Sequence, residues 1–423
     1  MRLRVPCPNM RHSGTVTTDA VILRDAVAGY AARLHAAAGP GHHVASPLGA
    51  WLLLALCAPA TRNGAVPGPA LADVLGCDVD VAARLAAGLL ARPHPQVAAA
   101  AAAWTRDRPE LTEVQRRWQS GLPAAVATGP VPDQGAADAW ARDHTFGLIE
   151  RFPVAISPLT YLVLATALAT RVSWLVPFDL APAADLGAGS PWAGLGRVLR
   201  TPRRPGGTGH RQFIAATPEA GDVIMQLAQA RDGLLVASVG AAADVAPGAV
   251  LAAAQRLGSA AVTGAPVTPR PLADLPLGET PQWRIWEEAA GSGGTGDQIT
   301  AVLPAWSARS ELDLSGPELG FAAAAAALAG GDPWAAAQSA MARYTRTGFE
   351  AAAVSAVAVT ASARRPLAGR RRVAELRFGL PYAVAAVAVD LDGDGQSGLW
   401  HGIPVFSAWV ADPQDAADGN EHQ

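Results

Sequence analysis

Arg364 and Arg365 close a stretch whose make-up suits it to be read by a protease. From Glu350 the chain runs Ala351-Ala352-Ala353-Val354-Ser355-Ala356-Val357-Ala358-Val359-Thr360, small and β-branched throughout. It lacks the wide apolar stripe of a core helix, and only its second half alternates as a half-buried strand does. Behind it stand Arg364-Arg365-Pro366 and Gly369-Arg370-Arg371-Arg372, charged and turn-forming. Met341–Leu367 therefore reads as a strand-like segment tipped by a basic loop, which is how bait for a protease is built. Such a segment either lies exposed or slots between two existing strands, where both faces are crowded.

Other chemistry finds little support. Gly-x-Ser-x-Gly, a Gly-rich phosphate loop and His-Glu-x-x-His are all missing from the sequence, so no catalytic residues are assigned. His42 and His43 are adjacent with no third ligand nearby, and read as a polar loop. Asp390-Leu391-Asp392-Gly393-Asp394-Gly395 imitates a calcium loop, but its twelfth position is His401 where a bidentate glutamate is needed, so it reads as a hairpin turn. The three cysteines, Cys7, Cys57 and Cys77, have neither disulfide-framework nor zinc spacing. No metal or cofactor is expected.

The elements that must carry the bait belong to a globular chain. Of 423 residues, 50% are hydrophobic and 16% charged, which is enough for a sizeable core. A net charge of −3 gives no reason to expect nucleic acid or a membrane surface as partner. All basic residues are arginine, a bias of the source genome. Residues 1–17 are basic without an apolar centre and read as a loose leader, not a signal peptide, so a cytoplasmic location is expected. Helical spacing follows over Thr18–Ala38, strands over Val97–Trp104 and Leu162–Asp179, and a hairpin about Arg231-Asp232-Gly233. The stretches Ala181–Arg211 and Gly258–Pro281 read as irregular.

Gly348-Phe349-Glu350-Ala351-Ala352-Ala353 resembles the hinge of the reactive-centre loop of serpins, roughly Gly-Thr-Glu-Ala-Ala-Ala. Further segments keep family order from about residue 20 to 413. Ser46-Pro47 is similar to the start of a buried helix, with Gly49 where Ser is usual. Trp140, Thr145, Gly147 and Ile149 keep a helix-and-turn spacing. Trp174, Pro177 and Phe178 fall in register with a central strand, and Leu303-Pro304 with a strand further on. Phe406, Val410 and Pro413 match the closing strand.

The resemblance implies an α+β serpin fold: three β-sheets surrounded by eight to nine helices, in one domain over residues 18–413 with a flexible tail at 414–423. An exposed reactive-centre loop would span about 346–372. It implies a monomeric suicide substrate of a serine protease, with insertion of 348–360 into the central sheet after cleavage. Counting from Arg346 places the scissile bond near Ser362–Ala363, and Arg364 beside it would attract a trypsin-like protease, while Arg365 is followed by proline. The hinge would be Gly348, Phe349, Glu350, Ala351, Ala352 and Ala353. Ser46, Thr166, Trp174 and Gln338 would form the region where the sheet opens. The resemblance also allows an extracellular location. Several departures favour the alternative, a non-inhibitory binding protein of this fold. Phe349 stands where Thr or Ser is usual, and would overpack a closing sheet if it points inward. Arg346 and Ala305 replace an ion pair. Thr166 and Gln338 replace an Asn and a His, and a Thr–Gln contact would substitute for theirs.

Overall fold

The structure is a computed structural model that describes residues 18–61, 71–106, 113–152, 154–202, 209–289, 296–349 and 370–416. Glu350, Ala351, Ala352 and Ala353 of the expected hinge, and Ser362, Ala363, Arg364 and Arg365 of the expected cleavage site, lie outside the described residues.

The first third of the chain is mostly helical: α1 (Thr18–Ala38), β1 (His43–Ala45), α2 (Pro47–Cys57), α3 (Leu71–Leu75), α4 (Val79–Ala91), β2 (Val97–Thr105), α5 (Glu113–Gly121), β3 (Val126–Gly129) and α6 (Gln134–Asp143). The middle is mostly strand: β4 (Leu162–Thr170), β5 (Val172–Ser173), β6 (Asp179–Pro182), β7 (Arg197–Arg200), β8 (His210–Thr217), β9 (Gly221–Gln229), β10 (Leu234–Gly240) and then α7 (Pro247–Thr263). The last third adds β11 (Gly278–Glu279), β12 (Trp283–Ala289), β13 (Gln298–Leu303), β14 (Trp306–Asp313), α8 (Phe321–Ala329), β15 (Trp334–Tyr344), β16 (Gly348–Phe349), β17 (Arg370–Arg377), β18 (Tyr382–Ala388) and β19 (Pro404–Val410).

These strands make three sheets among the described residues. The large sheet has seven strands, in the order β3-β2-β4-β15-β16-β5, with β14 also on β15. The second runs β1-β19-β18-β10-β9-β8, and the third β11-β12-β17-β13-β7-β6. The expected α+β architecture of three sheets is thus present, with eight α-helices among the described residues.

Helix α2 lies beneath the large sheet. Every residue of Pro47–Cys57 is buried, so no polar face is needed. Pro47 opens it where a missing N–H costs nothing, and the Ser46 hydroxyl caps it by accepting from the Gly49 N–H at 3.2 Å. On the sheet's outer face, Ala137 and Ala141 of α6 pack on Ala102, Trp104, Val163 and Ala165. Helix α7 covers the second sheet.

The sequence reading fails where tertiary contact decides. The stretch read as irregular after Ala181 contains β7 and the start of β8. Helix α7 continues through Gly258 to Thr263, because the glycine is there to let the helix approach the sheet: a Cβ at Gly258 would stand 3.0 Å from Val387 Cγ2. Met341–Tyr344, counted above with the bait segment, form the end of β15. Arg370, Arg371 and Arg372 open β17, where Glu287 and Glu288 of β12 engage them.

Candidate functional site at the parted sheet

Strands β4 and β15 of the large sheet are parallel neighbours for three residue pairs only, from Trp334↔Leu162 to Ala336↔Leu164. Among the described residues no further pair joins them. Eight residues along, the same register would bring Tyr344 face to face with Val172. Instead each pairs with Phe349, which lies between them. Paired strands stand about 4.8 Å apart, so a strand between them sets the two about 10 Å apart. The sheet therefore opens from one strand spacing to two over residues 337–343 of β15 and 165–171, which lead from β4 into β5. The far edge of β15 is bound to β14 and that of β4 to β2, so only the facing edges are at issue.

Gly348 and Phe349, the first two residues of the expected hinge, are docked at the open end. Thr345–Gly348 form a tight turn: the Thr345 N–H donates to the Gly348 carbonyl at 2.9 Å, and the Thr345 hydroxyl accepts from the Thr347 and Gly348 N–H groups. Trp174 holds this turn. Its backbone N–H donates to the Thr347 carbonyl at 2.9 Å and its indole Nε1 to the Thr345 carbonyl at 3.0 Å. Arg346, which departs from the expected acidic residue, is held by Phe178 instead. The Phe178 N–H donates to the Arg346 carbonyl at 3.0 Å, and Arg346 Nε donates to the Phe178 carbonyl at 3.1 Å.

Phe349 does point inward and is 2% exposed. It meets Trp306 edge to face, with centroids 6.2 Å apart at 70°. Trp306 in turn stacks with Tyr344, which touches Trp174 and Phe178. The ring is thus received by an aromatic cluster that favours tilted and edge-on contacts. Beneath it runs a satisfied polar chain. The Tyr344 hydroxyl donates to Gln226 Oε1 at 3.1 Å, Gln226 Nε2 to His210 Nδ1 at 3.1 Å, and His210 Nε2 to the Val176 carbonyl at 2.7 Å. The carbonyl at Nε2 assigns the proton to that nitrogen. Burial pushes the Tyr344 hydroxyl well above the ordinary phenol range.

At the other end of the opening, Gln338 clamps β15 to the segment between β1 and α2. Its Oε1 accepts from the Ser46 N–H at 2.8 Å and its Nε2 donates to the Ser46 carbonyl at 2.8 Å. The Ser46 hydroxyl donates to the Val405 carbonyl of β19 at 2.8 Å. Gln338 and Thr166 flank the place where the sheet parts, two residues past the last pair. The expected Thr166–Gln338 contact does not form, because the amide is satisfied by Ser46. Gly49 explains how the long side chain fits: a Cβ there would lie 3.1 Å from both Leu168 Cδ1 and Ser46 Oγ and 3.3 Å from Gln338 Nε2. The residues grouped in the sequence as one opening region therefore separate. Ser46 and Gln338 clamp one end, and Trp174 holds the hinge at the other, about 26 Å away along β4.

Gln226, His210 and Tyr344 carry no motif in the sequence; only their positions in three different strands bring them together. Trp306 was legible as the aromatic after Leu303-Pro304. His42 and His43 are not a polar loop: His43 is buried in β1. Asp390–Gly395 is a hairpin turn, closed by the Leu391–Ser397 bridge, with Asp392 Oδ1 accepting from the Asp394 and Gln396 N–H groups. Among the described residues no cluster of three His, Cys, Asp or Glu could hold a metal, and no helix is long and apolar enough to cross a membrane.

Neither a family model nor a curated protein matches this sequence. Solved structures do. A highly specific serpin of the insect Tenebrio molitor matches at TM-score 0.56 with 14% identity, over 93% of this chain and 99% of its own. The thermophilic serpin tengpin in its native state matches at 0.61 with 12% identity, over 95% and 96%. Human thyroxine-binding globulin complexed with thyroxine matches at 0.60 with 12% identity, over 94% and 99%. The chain has the serpin fold.

Proposed function

We propose that this chain inhibits a serine-type protease as a suicide substrate, by admitting its own residues 348–360 into the large sheet after cleavage near 362–365. One observation carries the reading. The sheet is already parted between β4 and β15, and Gly348–Phe349 stand in the open end. A strand added there would pair on both sides. In the chemistry this requires, the protease serine attacks a loop carbonyl carbon. The peptide bond breaks, its nitrogen leaves with a proton, and an ester joins the loop to the serine. Insertion of the tethered loop then distorts the protease before water attacks the ester. The chain contributes binding and stored free energy, and no catalytic group of its own. Arg370, Arg371 and Arg372 are engaged by glutamates of β12, which leaves Arg364 as the basic residue for a trypsin-like partner.

A second reading has its own support. The buried Phe349 and the two bonds between Arg346 and Phe178 tie down the residues that must move first. A hinge held so firmly suits a binding protein of this fold that never inserts its loop, and one structural neighbour is a thyroxine-binding globulin. Incubation with a panel of trypsin-like and other serine proteases separates the two. A complex that survives denaturing electrophoresis supports inhibition. Clean cleavage by every member, without a complex, sinks it.

A further inference from the structure

A buried relay of three side chains lies behind the clamp, on elements that the opening sheet does not include. The Gly41 carbonyl accepts from His43 Nδ1 at 2.8 Å, which assigns the proton to that nitrogen and leaves His43 Nε2 as an acceptor. His35 Nδ1 of α1 therefore donates to His43 Nε2 at 2.8 Å, and His35 Nε2 accepts from the Ser407 hydroxyl of β19 at 2.6 Å. Every link fixes the next with both rings neutral. One added proton turns the Ser407 hydroxyl round to accept and leaves a buried imidazolium with no carboxylate among its hydrogen-bond partners, and a second proton sets two N–H groups against each other. All three side chains are almost fully buried. Burial holds His35 down to about 3, with His43 lowering it further; burial also lowers His43, outweighing the raising bond to the Gly41 carbonyl, and His42 adds to the lowering.

The charges around the relay do not offer relief. Strand β19 has no ionisable side chain and α2 only the Cys57 thiol. On β14, which packs on β1, Arg309, Glu311 and Asp313 are exposed, as is Arg343 on β15. Arg256 of α7 pairs with Glu219, and Arg33, on α1 itself, lies two residues from His35. None of these carboxylates contributes to the shift of either ring.

The relay joins directly to the clamp. His43 lies three residues before Ser46, and β19 supplies both Ser407 to the relay and the Val405 carbonyl to Ser46. In the strand register His43 faces Trp409 and Ala45 faces Ser407, so the relay and the clamp share one short ladder. We propose that the His35–His43 pair is an acid-sensitive latch on the Ser46–Gln338 clamp: protonation unfastens α1 and β1 from β19 and so loosens the hold on β15. This stands on the packing of α1, β1 and β19, whether or not the loop inserts.

Two measurements on the intact chain test it. In the first, histidine ring resonances are followed by NMR from pH 8 to pH 4.5. His35 and His43 are expected to stay neutral while the fold holds; titration of both near pH 6.5 in the folded protein overturns the latch. In the second, hydrogen exchange of the segment 43–57, corrected for the intrinsic pH dependence, is compared at pH 7.5 and pH 5. A loss of protection of at least about tenfold at pH 5 is expected, since each histidine held neutral shifts the equilibrium up to about tenfold per pH unit below 6.5. Unchanged protection overturns it. The double variant His35→Gln with His43→Gln, if it folds, should lose the acid response of this segment; an equal response in the variant assigns it to other groups and rejects the proposal. Because neither readout involves a protease, a failed latch is distinguishable from a failed inhibitor.

Discussion

At Gln338 the balance is set by what is left behind when the side chain is removed. The Ser46 carbonyl also accepts from the Ala50 N–H, but the Ser46 N–H has Gln338 as its acceptor. Gln338→Leu should therefore cost about 1–3 kcal/mol, the usual cost of an orphaned buried donor. Denaturant unfolding measures it, and a loss well under 0.5 kcal/mol would show that the clamp holds nothing. Gly49 belongs to the same argument. Its missing Cβ is space already used by Gln338, so Gly49→Ala should destabilise the wild type more than it does Gln338→Leu. Additive costs would sever the two. Phe146 presents the reverse case. It is a non-glycine residue at φ 54°, and the residue is 53% exposed. An aromatic residue gains nothing from that conformation, whereas asparagine tolerates it. Phe146→Asn should stabilise the chain by roughly 0.5–1 kcal/mol in the same assay; destabilisation would mean that the exposed ring is engaged.

At the scale of elements, the question is whether the turn from β15 into β16 can release. Phe349 is buried among aromatic rings, and two backbone carbonyls of the turn receive the Trp174 indole and main chain. Phe349→Thr removes the ring and introduces a β-branch, which a strand accommodates well. In a working inhibitor it should change trapping little. In a chain locked by Phe349 it should create trapping where the wild type shows none. The same assay of covalent complex reads both, and absence of trapping in both proteins against a broad panel would end the inhibitor reading. The elements were legible unevenly, for a physical reason. Helix α1 announces itself by its periodicity, and strands β2 and β4 by short continuous apolar runs. Trp174-x-x-Pro177-Phe178 was legible by resemblance. Strands β7 and β8 were not, because Gly- and Pro-rich flanks hide short strands whose partners lie a hundred residues away in β13 or next door in β9. The Gln338–Ser46 clamp was half legible: the position was flagged, but its partner depends on Gly49 leaving room, which no local pattern records.

For the whole molecule the deciding quantity is the free energy held in the parted sheet. The facing edges leave about seven residues on each side, and a strand inserted there would form of the order of ten hydrogen bonds at about 1 kcal/mol each. Against that stand four hydrogen bonds that tie the Thr345–Gly348 turn to Trp174 and Phe178 and the two of the Gln338 clamp. On the proposed function the balance falls to insertion once the loop is cut, because cutting removes the constraint that anchors its far end to β17. A single nick in residues 360–372 should then raise the unfolding midpoint by roughly 10 °C or more. An unchanged midpoint, with the nick verified by mass, would mean that the ties outweigh the new ladder and that the chain works as a binding protein. Acid gives an independent handle on the same balance. A buried neutral histidine adds no proton on folding while its unfolded counterpart does, so stability should fall as pH drops below about 6.5, by up to about 1.4 kcal/mol per unit for each histidine so held. If the latch acts on the clamp, the nicked chain, with β15 already paired on both sides, should lose less of its stability between pH 7.5 and pH 5 than the intact chain does. Equal losses would place the acid effect away from the sheet opening.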